Sequence, residues 1–509
     1  MFCEVKSMGL NGIEPYMVTV EADNSKAVPA FEIVGLGDQV VKESRDRIRS
    51  AINNCGFTLP KGRIIINLSP SGTKKTGSFY DLPILISLLK CAGYINSDFD
   101  NSIFIGEISL DGKIKPVNGI LPMLLEAEKL GIKNAFIPKA NGPEGAIAEN
   151  MKVYAVENIK DLVTFLNGKS SISRAERTSS NENIVENLLD MKDVKGQRLA
   201  KRAIEIAAAG SHNLFLIGSP GTGKSMLAKR IPSILPPLSY EEAVEVTKIH
   251  SVAGILEENH GLITKRPFRS PHHTVSAAGL SGGGSVPKPG ELSLAHNGVL
   301  FLDELPEFSR MAMEVLRQPL EDGKVTISRA SGKYTYPSEV MVVAAMNPCP
   351  CGYFGHPTKS CTCSKTAVNK YLNRVSGPLL DRFDLHIEVS PVNFEDLSSS
   401  NSVEESSETI RNRVIKTRKI QEERFKNYSF HGNSRIPSSL LQEYCPCTDD
   451  AKKLLKSAFE KMGMSARAYD RILKVSRTIA DMDKSEIINS SHIAEAIQYR
   501  NLDRKYWNK

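Results

Sequence analysis

Short apolar runs alternate along this chain with stretches whose apolar residues recur at helical spacing. In residues 1–167, Arg63–Leu68 and Ser102–Gly106 read as strands. Leu121–Ala127 opens a helix with Pro122 in its first turn, where a missing N–H does no harm. A Ser/Asn/Glu-rich stretch, 168–189, has little apolar period and reads as a linker. Residues 190–396 carry the apolar strands Leu214–Ile217, Gly298–Leu302 and Val342–Met346, the pattern of an α/β sheet. Within them, Lys324–Tyr336 alternates and turns at Ser331-Gly332, which predicts a hairpin. Residues 397–447 begin in the polar run Ser398–Thr409 and continue as a helix, Ile410–Lys426, with seven Lys/Arg against two Glu. Residues 448–509 show helical spacing with few strand signals and read as a small bundle. The fold class expected is α/β, in several domains, because 509 residues are too many for one core.

Chemistry enters at Gly218-Ser219-Pro220-Gly221-Thr222-Gly223-Lys224-Ser225, which fits the P-loop pattern G-x-x-x-x-G-K-[ST]. It follows the strand Leu214–Ile217 and precedes a helical start at Met226–Arg230. Strand, glycine-rich loop and helix aim backbone N–H groups and a helix N-terminus at a triphosphate. Lys224 then reaches the β- and γ-phosphates, and the Ser225 hydroxyl binds Mg²⁺. The strand Gly298–Leu302 ends in Asp303 and Glu304, placed to complete the Mg²⁺ shell and to orient or deprotonate the attacking water. Together the two sites predict ATP hydrolysis, with ATP and Mg²⁺ as cofactors.

Composition narrows the setting. Apolar content of 41% and charged content of 24% are those of an ordinary globular protein. No apolar run is long enough to span a bilayer, and Met1–Lys6 is no signal sequence, so a cytoplasmic protein without membrane attachment is expected. A net charge of +7 permits nucleic-acid binding without requiring it. Of nine cysteines, Cys349, Cys351, Cys361 and Cys363 form two C-x-C pairs in a Gly/Pro-rich loop, a candidate tetrahedral Zn²⁺ site. His356 is an alternative ligand, Cys445-Pro446-Cys447 a further pair, and reduced structural thiols the competing reading.

Three further segments carry a family resemblance: Phe268-Arg269-Ser270-Pro271-His272-His273-Thr274, Pro289–His296 and Leu379-Leu380-Asp381-Arg382-Phe383-Asp384. With the P-loop they make the chain resemble, over essentially its whole length, the magnesium-chelatase-like AAA+ ATPases of the ComM/YifB family. The resemblance implies a Lon-protease-like α+β first domain, a central AAA+ P-loop domain and a C-terminal helical lid. It implies that Asn347 is the sensor-1 residue, Arg382 an arginine finger acting in trans, Arg467 sensor 2 and Gln197 a residue near the adenine. Arg471, a helical turn beyond Arg467, is the lesser candidate. A finger in trans implies a ring, and the family a homo-hexamer.

At the positions of the Lon serine and lysine stand Phe79 and Leu121, so no protease activity is expected; a shifted pair of Ser78 with Lys74 or Lys75 is the alternative. In related rings the predicted hairpin points into the pore, where Arg329, Lys333 and Tyr334 could grip single-stranded or branched DNA. An ordinary surface hairpin is the competing reading. The Gly-rich stretch Gly279–Gly290, preceded by Lys265, Arg266 and Arg269, is a second candidate pore loop. The implied function is a DNA motor for helicase and branch-migration work in recombination during natural transformation. The alternative is a chelatase- or MoxR-like ATPase that remodels a protein partner.

Overall fold

The computed structural model describes residues 1–177, 189–257, 261–284, 286–329, 332–392, 404–428, 430–500 and 502–507. Residues 178–188 of the first polar linker, residues 398–403 of the second and the hairpin turn at Ser331 lie outside the described residues. The chain divides into two units: 1–183 with 240–263 and 328–336, and 184–239 with 264–327 and 337–509.

The first unit is built on a seven-stranded sheet. Its strands are β1 (Phe2–Asn11), β2 (Glu14–Ser25), β3 (Ala30–Val34), β4 (Arg63–Ser69), β5 (Ser102–Phe104), β6 (Asn134–Pro138) and β7 (Lys152–Val156). They lie in the order β3-β4-β2-β1-β5-β6-β7, antiparallel around β2 and parallel from β1 to β7. Helices α1 (Gln39–Asn54), α2 (Asp81–Cys91), α3 (Ile120–Lys129) and α4 (Ile159–Leu166) cover it. Helix α2 buries almost every side chain, its Asp81 included. That carboxylate stays in the interior because Arg47 holds it at 2.8 and 2.9 Å and Ile108 N–H donates to it at 3.2 Å.

The inserted segment Tyr240–Ile263 belongs to this unit. Its Ser251 carbonyl accepts from Gly119 N–H at 3.2 Å, and its Ser251 hydroxyl donates to the buried Glu144. Glu144 also accepts from Leu121 N–H at 2.8 Å, and burial pushes its carboxyl up.

The second unit carries a five-stranded, all-parallel sheet. It comprises β8 (Leu214–Ile217), β9 (Phe268–Arg269), β10 (Val299–Leu302), β13 (Met341–Met346) and β14 (Leu385–Glu388), in the order β9-β10-β13-β8-β14. Between β10 and β13 in sequence, β11 (Lys324–Arg329) and β12 (Gly332–Pro337) form the predicted hairpin as a separate two-stranded sheet. Strands β8, β10 and β13 are buried at every residue, as a sheet covered on both faces requires.

Helix α5 (Arg198–Gly210) packs on this sheet, and α6 (Lys224–Ala228) leaves the P-loop. The basic helix α7 (Ser407–Phe425) starts on a Ser406 cap and buries Val414, Thr417, Gln421 and Phe425. Its Arg418 and Gln421 donate to the Ala208 and Ala209 carbonyls at the end of α5, and Arg413 pairs with Glu205. Helices α8 (Asp449–Met462), α9 (Ala466–Met482) and α10 (Ser490–Gln498) share one continuous apolar core with the sheet. The architecture is thus mixed α/β with a parallel-sheet core and C-terminal helices.

Asp481, in α9, is buried and takes Arg424 of α7 at 2.8 and 2.5 Å, Arg477 at 3.0 Å and Asn433 at 2.8 Å. Removing the acid leaves a buried guanidinium, Arg477, with an uncompensated charge. Asp481→Ala is therefore expected to destabilise the second unit by about 3–5 kcal/mol, read as a lowered midpoint of chemical unfolding; a midpoint equal to wild type contradicts the hub.

Candidate nucleotide site

The sheet order explains why distant segments meet. Strands β10, β13 and β8 are neighbours and parallel, so their carboxyl ends lie side by side at the edge where open α/β sheets bind ligands. From those ends come Asp303 and Glu304, Asn347 and the P-loop. They line a cavity of about 360 Å³ with Pro220, Gly221, Gly223, Lys224, Ser225, Met226 and Met346.

Two glycines are dictated by space and conformation. A β-carbon on Gly218 would lie 2.4 Å from the Val389 carbonyl oxygen, and Gly223 enters α6 at φ +90°. Thr222 Oγ1 donates to the Ser219 carbonyl at 2.9 Å and holds the turn.

The side chains form one connected polar cluster. Lys224 Nζ donates to the Gly218 and Ser219 carbonyls at 2.6 and 3.1 Å and to Asn347 Oδ1 at 3.1 Å. Ser225 Oγ donates to Asp303 Oδ2 at 2.5 Å, the two oxygens that Mg²⁺ would draw together. Asp303 Oδ1 accepts from Glu304 N–H at 2.9 Å. Burial pulls the Lys224 ammonium down to about 8, against the pull of Asp303 and Glu304. Glu304 sits at φ 52°, the left-handed region, where a non-glycine residue is strained and is found chiefly at functional sites.

The other predicted residues fall elsewhere. Gln197, also left-handed at φ 54°, donates to the Ser390 and Thr222 carbonyls at 2.6 and 3.3 Å and so ties the segment before α5 to the P-loop. Arg382 is buried: Nε donates to the Arg317 carbonyl at 2.9 Å, Nη1 to that of Pro378 at 2.5 Å, and Nη2 pairs with Glu321 at 2.8 Å. Arg467, 59% exposed, lies 3.9 Å from the same Glu321. Neither lines the cavity; the two arginines share one acid. Arg471 pairs with buried Asp384 at 2.6 Å, a structural contact.

Arg329 and Lys333 are exposed on the hairpin, while Tyr334 is partly buried beside Gly12. A short helix, Ala277–Ser281, runs into the Gly279–Gly290 stretch, where a ladder pairs Gly282–Gly283 with Lys288–Pro289. Arg269 is committed to Glu291 at 2.7 and 2.8 Å, and Arg266 donates to the Pro236 and Asn297 carbonyls.

In the first unit Phe79 and Leu121 offer no nucleophile or base. Ser78 donates to Glu107 and the buried Lys75 to the Pro70 carbonyl.

The four loop cysteines do converge. Their sulfurs all lie within 4.8 Å of one another, with Cys349–Cys351, Cys349–Cys361 and Cys351–Cys361 at 3.4, 3.6 and 3.5 Å. Backbone N–H groups of Tyr353 and Thr362 bring the Cys351 thiol down to about 5. His356 stands outside the cluster, its Nδ1 accepting from Thr358 and Lys359 N–H at 3.2 and 3.0 Å, and Cys445 is buried in the core.

A histidine that carries no local sequence signature for a role also reaches the site. His273 Nδ1 lies 3.4 Å from Glu304 Oε2, with the His272 ring 4.1 Å away. It belongs to the Pro-His-His run that follows β9, and only the sheet order brings it behind Glu304.

Comparisons with known proteins give the family. Residues 190–397 match the family model described as magnesium chelatase, subunit ChlI. Residues 20–141 match that of subunit ChlI of Mg-chelatase, and 404–500 that of its C-terminal part. The competence protein ComM of Haemophilus influenzae is 42% identical over 98% of this chain and 97% of its own. YifB of Escherichia coli is 42% identical over 97% of this chain and 96% of its own. A partial likeness, 27% identity over 32% of this chain and 22% of the relative, links it to the Lon protease of Haemophilus influenzae. The chain belongs to the magnesium-chelatase-like ComM/YifB family of ATPases, and the family implies ATP and Mg²⁺. No helix among the described residues is long and apolar enough to cross a membrane.

Two outcomes follow from the site. A triphosphate needs Lys224 charged, and in the free site the ammonium is half neutral near pH 8. Binding above that pH therefore takes up a proton, and affinity for a fluorescent ATP analogue should fall as pH rises past about 8; an affinity flat from about pH 7 to 9.5 contradicts this. His273→Ala should lower the turnover number about tenfold or more, with nucleotide affinity within about twofold of wild type. Steady-state hydrolysis and equilibrium binding measure the two separately.

Proposed function

We propose that this chain is an ATP-hydrolysing motor that acts on single-stranded or branched DNA as a homo-hexamer, in helicase and branch-migration work during recombination of incoming DNA. The observation that carries the reading is the single cavity where Lys224, Ser225, Asp303, Glu304 and Asn347 meet. Lys224 binds the β- and γ-phosphates, Ser225 and Asp303 hold Mg²⁺, and Glu304 activates water while Asn347 senses the γ-phosphate. Gln197 lies near the adenine, for which its hydrogen bond to the Thr222 carbonyl of the P-loop is the support.

Arg382 acts on a neighbouring subunit's nucleotide, and Arg467 is the sensor-2 residue of the helical lid. The seat of Arg382 on Glu321, away from its own chain's cavity, supports its role in trans. Assembly then exchanges Glu321 for phosphate as the partner of Arg382. Arg329, Lys333 and Tyr334 contact DNA, for which the exposure of the first two is the support.

The first domain is Lon-like in fold and inactive as a protease; the residues at positions 79 and 121, and the separate partners of Ser78 and Lys75, favour this. The four cysteines hold a structural Zn²⁺, because three sulfur pairs at 3.4–3.6 Å are near the separation of about 3.8 Å that a tetrahedron with Zn–S of about 2.3 Å requires. The protein works in the cytoplasm. Relatedness to the Haemophilus influenzae competence protein over nearly the full length supports the recombination role.

The test is the ATPase rate with and without branched and single-stranded DNA, beside Lys224→Ala and Arg382→Ala. DNA is expected to raise the rate. Lys224→Ala abolishes hydrolysis and nucleotide binding. Arg382→Ala lowers turnover about 10³-fold or more while each chain still binds nucleotide. An ATPase indifferent to DNA when assembled points instead to remodelling of a protein partner.

A further inference from the structure

The four-cysteine loop touches the nucleotide site at two places. It begins directly after Asn347, whose Oδ1 accepts from Lys224 Nζ at 3.1 Å. Three residues beyond the first cysteine, buried Gly352 lies flat against the P-loop itself. A β-carbon on Gly352 would stand 2.4 Å from Pro220 Cδ and 2.6 Å from Pro220 Cγ, and Pro220 lines the cavity. The backbone at Gly352 has φ +83°, so the turn that delivers it to Pro220 needs glycine twice over, for space and for conformation.

Beyond Gly352, burial does little to hold the loop in place. From Tyr353 to Cys363 every residue is exposed or only half-buried, and a segment of this kind keeps one conformation only if something else offsets its entropy. The turn is instead gathered by sulfur. Cys349 and Cys351 flank the Pro350 step that leads into Gly352, and Cys361 lies within 3.6 Å of both. Phe354 N–H donates to Cys349 Sγ at 3.3 Å, and the thiols are free of disulfides. Four sulfurs so close, unbonded to one another, are a ligand set for a thiophilic divalent ion.

We propose that Zn²⁺ held by Cys349, Cys351, Cys361 and Cys363 is the brace of the P-loop, fixing Gly352 against Pro220 and Asn347 against Lys224, so that nucleotide affinity depends on metal content. The proposal rests on the zinc assignment made above and adds a task to it: the metal shapes the ATP site without touching the nucleotide.

Full-length protein is tested for zinc by plasma mass spectrometry and for Mg²⁺-dependent binding of a fluorescent ATP analogue. Wild type is expected to carry about one zinc per chain. Cys361→Ser with Cys363→Ser loses the metal and binds nucleotide about tenfold or more weakly. Gly352→Ala keeps the metal, since no sulfur is altered, and still weakens binding about tenfold or more. It keeps the brace open to refutation, through the Gly352–Pro220 contact, even if the cysteine variant fails to fold. Gly352→Ala with zinc retained and wild-type affinity overturns the brace. A folded, zinc-free cysteine variant with wild-type affinity does so as well. A wild-type protein without zinc overturns the brace together with the zinc assignment. Zinc-loaded wild type that binds no nucleotide overturns the ATP reading of the cavity instead.

Discussion

A lysine ammonium out of bulk water must be kept charged and available for an anion that arrives later, and the nucleotide site is arranged around that need. Lys224 is buried, and burial pulls its proton affinity down. Its three partners are two P-loop carbonyls and one amide oxygen, each neutral. A carboxylate in direct contact would hold the charge more firmly and would also compete with phosphate. Asp303 and Glu304 lend their field from further off, with Asp303 occupied by the Ser225 hydroxyl. Parallel strands make this arrangement possible, because three strand ends with three chemistries reach one edge.

Two of the six left-handed non-glycine residues among the described residues lie at the same edge. Gln197 and Glu304 both sit in the left-handed region, and neither is a glycine. Each is held there by contacts beyond its own backbone: Gln197 by the distant Ser390 and Thr222 carbonyls, Glu304 by its N–H on the adjacent Asp303 side chain and its carboxylate beside the distant His273. A backbone conformation costing about 1–3 kcal/mol persists only where the surroundings over-determine it. The surroundings here are the strands themselves, buried at every residue.

What could be read from the sequence follows from the range of each interaction. The P-loop was legible because its chemistry is local: eight consecutive residues, a strand before and a helix after. The strands ending at Leu302 and Met346 were legible because a fully buried strand is apolar throughout. The basic helix was legible as a helix, but its charges were not legible as structural. Arg413, Arg418 and Arg424 find Glu205, the Ala208 carbonyl and Asp481 across long sequence separations.

The same limit hid the seat of Arg382 on Glu321 and the approach of His273 to Glu304. It also hid the insertion Tyr240–Ile263. Its anchor, Ser251 on Glu144, pairs a hydroxyl with a carboxylate that carries no sequence signature. The cysteine loop stood between these cases: spacing singled out the four cysteines, and only the fold set Gly352 on Pro220.

The core of the second unit runs without a break from β8 and α5 into α7, α9 and α10: Leu214, Ala207, Val414, Ile472 and Ile493 belong to one apolar cluster. Sequence families divide this stretch near residue 400, between the matches that end at 397 and begin at 404. Folding does not respect that division. A recombinant piece ending at the boundary would present to water the faces of α5 that α7 covers, together with the carbonyls of Ala208 and Ala209 that its side chains satisfy. Segments that look like separable modules in an alignment are here one cooperative object. They have to be expressed, and inherited, together.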